Sequence, residues 1–99
     1  MTRAWFLSAA VADVESARDW YEAQRSGLGG EFIDAVDAAV THIVEFPDAH
    51  PIVYRDARRH LLRRFPYGIY FRTEGNGVVV VACLHAAREP WRTRRRLRG

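Results

Sequence analysis

From Ala9 to about Gln24 the larger apolar residues Ala10, Val14, Ala17 and Tyr21 step by four, three and four positions, and Asp13, Glu15, Arg18, Asp19 and Glu22 fall mostly between them. That stride marks one face of an α-helix. Ahead of it, Arg3 to Ser8 is apolar and partly aromatic, which suits a short strand, and Ser8 stands where an N-cap is expected. Gly27, Gly29 and Gly30 interrupt the pattern. A second helix is predicted from about Gly30 to Glu45, where Phe32, Val36, Ala39, Ile43 and Phe46 repeat the same spacing until Pro47 ends it. Two amphipathic helices joined by a short glycine-rich loop predict a helical hairpin.

Residues 47–56 hold two of the four prolines and read as a loop. Three strand-like runs follow, Arg58 to Phe65, Tyr67 to Thr73 and Val78 to His85, the last two joined by Glu74-Gly75-Asn76-Gly77. Asn-Gly is a strong hairpin signal. Every residue from Val78 to Leu84 is apolar, so both faces of that strand are expected to be covered. Within the second run, Ile69 and Phe71 are assigned to the core. The segment from Glu89 opens with Pro90 and is rich in arginine, so residues 90–99 read as a short helix or a basic tail. The order β-α-α-β-β-β predicts one α+β domain over residues 1–99, a mostly antiparallel sheet carrying the hairpin on one face.

Charge changes the picture more than composition does. Residues 1–50 hold nine acids against three arginines, a balance of −6, whereas residues 51–99 hold twelve arginines against three acids, a balance of +9. All fifteen basic residues are arginine, whose planar fork pairs with phosphates and carboxylates and stacks on aromatic rings. The basic half therefore predicts an electropositive surface for an acidic partner, protein or nucleic acid, with Trp91 as an anchor inside it. The bland alternative is a solvated face and a frayed tail. The longest apolar run is seven residues, too short to cross a bilayer, and the lone Cys83 fits a reducing compartment, so a cytoplasmic location is expected.

Candidate chemistry is sparse. His85 ends the apolar strand beside arginines, where it reads either as a general acid or simply as a strand cap. Glu45, Arg64 and His85 form a set for phosphodiester cleavage only if the fold brings them together. The four histidines and Cys83 show no metal-ligand spacing, so no metal and no cofactor are expected. Cys83 itself reads as a small buried hydrophobe.

The pieces Trp20-Tyr21-Glu22, Gly29-Gly30-Glu31-Phe32 opening a helix that ends at Glu45-Phe46-Pro47, Arg63-Arg64-Phe65-Pro66-Tyr67-Gly68-Ile69-Tyr70-Phe71-Arg72, and Leu84-His85-Ala86-Ala87-Arg88-Glu89-Pro90 occur in an order that resembles the ParE branch of the RelE/ParE toxins. The similarity covers nearly the whole chain. It implies the toxin of a type II toxin–antitoxin pair, associated with plasmid or chromosomal-locus maintenance and held in a hetero-oligomer by a ParD-like antitoxin. Its expected target is DNA gyrase, bound without catalysis. The RelE branch shares the fold but cleaves messenger RNA on the ribosome, which leaves an endonuclease with Glu45, Arg64 and His85 as the alternative, and an inactive antitoxin-binding member as a third. The resemblance places the partner-facing residues at His85, Arg88, Trp91, Arg92 and Arg95, with Arg63, Arg64 and Tyr70 as further candidates.

Overall fold

The computed structural model describes residues 3–98. Strand β1 (Ala4–Phe6) leads into helix α1 (Ser8–Gln24), which pairs with α2 (Leu28–Glu45); a 3-10 turn (Pro47–Ala49) then gives way to β2 (Ile52–Tyr54), β3 (Ala57–Leu61), β4 (Tyr67–Glu74), β5 (Gly77–His85) and helix α3 (Pro90–Arg98). The five strands form one sheet in the order β1-β5-β4-β3-β2. Only the β1–β5 pair is parallel; the remaining pairs are antiparallel. The α+β class and the helical hairpin match expectation.

Four local differences have physical causes. Ser8 is the first helical residue; Leu7 occupies the N-cap and no side chain caps that end. Helix α2 starts two residues earlier than its spacing predicted, because Gly27, at φ +91°, turns the chain and Glu22 on α1 accepts hydrogen bonds from the Gly27 and Gly29 amides at 3.0 and 2.9 Å. A Cβ at Gly29 would come within 2.9 Å of the Arg18 carbonyl oxygen, so the hairpin closes only around a glycine. The run expected to extend to Phe65 stops at Leu61, since Leu62 and Phe65 turn inward and Phe65 packs edge-on to Tyr21 and Phe32. Finally, the expected loop at 47–56 contains the short edge strand β2.

The sheet separates two cores. Against the hairpin lie Ile69, Phe71, Val78, Val80 and Cys83, packed on Val14, Tyr21, Phe32, Val36 and Ile43. The α-helical residues expected to be buried are buried, except Phe46, which is 49% exposed. On the other face Tyr70, Val79, Val81, Ala82 and Leu84 pack with Ala57 and with Leu97 of α3. Val81 is an extra residue in β5: Tyr70 pairs with Ala82 while Phe71 pairs with Val80. This bulge shifts the alternation, so the neighbours Val81 and Ala82 both join the α3 side and Cys83 returns to the hairpin side.

Candidate partner-binding surface

Beyond the end of β1, strand β5 has no neighbour on that side, and its Cys83 amide would be left without an acceptor. Asp13 on α1 takes that hydrogen bond at 3.0 Å. The same carboxylate receives both arms of the Arg96 guanidinium, at 2.9 and 2.7 Å, and so clips α3 onto α1 and β5. Such a two-pronged, charge-assisted contact fixes orientation as well as distance. Leu97 is the one buried residue of α3, and burial beside Asp13 pushes the Cys83 thiol up to about 12.

At the top of β5 the chain folds back tightly. The Ala86 amide donates to the Pro66 carbonyl at 2.7 Å and the Arg88 amide to that of His85 at 3.1 Å. His85 is exposed, with its ring edge-on to Tyr67 at 5.2 Å. Its Nδ1 accepts the Ala87 amide at 3.0 Å, so a neutral ring carries its proton on Nε2. Arg88 then turns inward and borders two clefts of about 270 Å³ each. One is shared with Asp13, Trp20, Tyr67 and His85. The other is lined by Arg88, Trp91, Arg92, Arg95 and Arg96. Residues 91, 92, 95 and 96 share one helical face, and the Arg92 guanidinium lies 5.9 Å from the centre of the Trp91 ring. Among the described residues only Arg96 of these arginines has an acidic partner.

Tyr70 is not on this surface. It is buried beneath α3 and borders a smaller cavity of about 190 Å³ with Tyr54, Arg59 and Arg88. The Nε atoms of Arg59 and Arg88 are both buried there with no hydrogen-bond partner among the described residues. Sealed from water as well as unpartnered, these two Nε–H groups cost folding free energy rather than offering donors to the cavity.

Arg63 and Arg64 belong elsewhere. Both lie in the β3–β4 connection and border a cavity of about 340 Å³ with Ala35, Ala38, His42 and His60. Arg64 pairs with Glu31 in the first turn of α2 and lies 5.2 Å from the Phe65 ring centre. Arg64 and Arg25 together hold the Glu31 carboxyl below the usual carboxylate range. Glu45, in the last turn of the same helix, is ~21 Å further along its axis at 1.5 Å per residue. The fold therefore does not assemble Glu45, Arg64 and His85 into one set.

A second group of titratable residues escaped the sequence reading, which found no metal-ligand spacing. His42 in the last turn of α2, His50 after the 3-10 turn and His60 in β3 converge, with one ring nitrogen from each lying within 4.8 Å of the others. Their separations of eight and ten residues match no short motif; only the packing of α2 on β3 brings them together. Burial, followed by the neighbouring His50, His42 and Arg63, lowers the pKa of His60.

Residues 6–90 match the family model for the ParE toxin of the type II toxin–antitoxin system, parDE. Among curated protein sequences nothing matches the chain. A solved structure described as the chromosomal ParDE toxin–antitoxin system from P. aeruginosa shares the fold, with a TM-score of 0.63 at 19% identity over 86% of this chain and 95% of that one. The match across most of the chain identifies it as a member of the ParE toxin family.

Proposed function

We propose that the chain is a toxin that binds DNA gyrase without catalysing a reaction and is neutralised by direct binding of a ParD-like antitoxin. The observation that carries this reading is the face of α3 formed by Trp91, Arg92 and Arg95, an aromatic anchor among arginines that have no acidic partner among the described residues. Such a face suits a large acidic or nucleic-acid-bearing partner, the kind of assembly gyrase forms with DNA. The distance between Glu45 and Arg64 counts against the endonuclease set. The antitoxin is expected to bring acids and large apolar side chains, the former to the exposed arginines of the basic half and the latter to the exposed Ile52, Val53 and Leu61 along the β2–β3 edge.

The test is plasmid supercoiling by purified gyrase with and without this protein, repeated after adding its antitoxin. Inhibition or trapped cleavage that the antitoxin reverses is the expected result. An Arg92→Ala/Arg95→Ala variant should lose the inhibition while remaining folded. No effect from folded, antitoxin-competent protein overturns the gyrase reading and directs attention to ribosomal messenger cleavage.

A further inference from the structure

We propose that His42, His50 and His60 form a binding site for a single divalent transition cation of the zinc class. The three ligand atoms come from elements with different anchoring: a helix end, a buried loop position and a strand. His50 is only 6% exposed, and its ring is held edge-on to Phe71 at 5.5 Å. Its Nδ1 lies 3.1 Å from the Phe46 carbonyl oxygen, to which it donates. That bond fixes the tautomer and leaves the Nε2 lone pair facing the other two rings, the second-layer arrangement typical of metal-bound histidine. From Nε2 the distances are 3.3 Å to His42 Nδ1 and 2.9 Å to His60 Nδ1.

One lone pair cannot accept well from two donors, so with neutral rings only one of these two contacts is a good hydrogen bond. A cation resolves the conflict by accepting a lone pair from each ring. Bonds of about 2.0–2.1 Å in a tetrahedral shell place nitrogen ligands roughly 3.4 Å apart, close to the two spacings from His50 Nε2, and the three ligand atoms all lie within 4.8 Å of one another. His42 and His60 border the 340 Å³ cavity, from which water can complete the shell. Imidazole donors without a thiolate or carboxylate favour zinc, copper, nickel or cobalt over magnesium or calcium. Arg58, which donates to the His50 carbonyl at 2.6 Å, and Arg63 at the cavity rim add positive charge, so the site is expected to hold its ion less tightly than a thiolate site would.

The experiment uses the full chain with any affinity tag removed, stripped of metal by a chelator. Titration with Co²⁺ should produce the visible absorption bands of a low-coordinate ion, saturating at one equivalent, and Zn²⁺ should displace them and raise the melting temperature. His42→Gln and His60→Gln, at positions more exposed than His50, should each weaken binding by at least about tenfold without loss of fold. Folded wild-type protein that shows neither the bands nor the thermal shift overturns the site. Binding undiminished in the His42→Gln/His60→Gln double variant also overturns it. Neither readout depends on toxin activity, so the result is independent of the gyrase reading.

Discussion

The two faces of the sheet are built on different principles although both draw their core residues from β4 and β5. On the hairpin side Phe32, Ile43, Ile69, Phe71, Val78 and Val80 are all essentially inaccessible to water. On the opposite side the cover is a single short helix that contributes one buried residue, Leu97, and is held largely by the Arg96–Asp13 clip. The first face is closed by apolar area, the second by a polar latch and arginine stems. Apolar closure is non-directional and tolerates no water, whereas a latch leaves most of its helix free for other contacts. Stability is thus concentrated on one side, and the arginines of α3 without an acidic partner among the described residues on the other.

Substitutions can break that division. Phe71→Ala should be the most damaging, costing about 3–5 kcal/mol through lost transfer energy and an unfilled cavity, measured by chemical denaturation. Asp13→Ala should cost less, about 1–3 kcal/mol, because it leaves the Cys83 amide without an acceptor and releases Arg96. Its signature is local, with hydrogen exchange of the α3 amides accelerating well before the hairpin core is affected. In the intact protein Cys83 should resist alkylation at mildly alkaline pH, since its thiol is buried and raised to about 12, and should react once the chain unfolds.

Arg92→Ala/Arg95→Ala should shift stability by no more than about 0.5 kcal/mol, in contrast to its expected effect on the target. The smallest effect concerns Glu31. Its carboxyl titrates lower in the folded chain than in the unfolded one, so the unfolded chain takes up the proton first as the pH drops. The contribution is full above the ordinary carboxylate value and is lost as the pH falls through the lower folded value. Glu31→Gln should flatten the melting temperature across that acidic window. The difference should shrink with added salt, because the pair with Arg64 is exposed.

How much of this was legible in the chain depends on the range of the contact that decides each feature. The positions Val14, Tyr21, Phe32 and Ile43 announced themselves because a helix repeats its buried face every turn. The apolar run from Val78 to Leu84 announced a strand covered on both sides. β2 was not visible because Ile52, Val53 and the half-buried Tyr54, three apolar residues between Pro51 and Arg55, the latter at φ +54°, offer no alternation to detect. Tyr70 is a partner-facing candidate only through the family resemblance, and strand parity puts it under α3. The clustering of Arg88, Trp91, Arg92 and Arg95 was readable from local spacing. The histidine cluster and the Asp13–Arg96 clip were not, since each joins elements whose proximity only the folded sheet creates.

The strand order has a consequence for how the molecule is made. β5 is the last strand to be synthesised, yet it lies between β1 and β4, and Ala4 finds its partner only at Val78. A chain emerging N-terminus first can form its helical hairpin early, but β1 has nothing to pair with until the final quarter of the sequence has been translated. The sheet, both cores and the arginine face of α3 are therefore completed only after β5 has emerged. An interrupted chain lacking β5 would have neither a closed core nor the arginine face of α3, so the topology ties that surface to completion of the sheet.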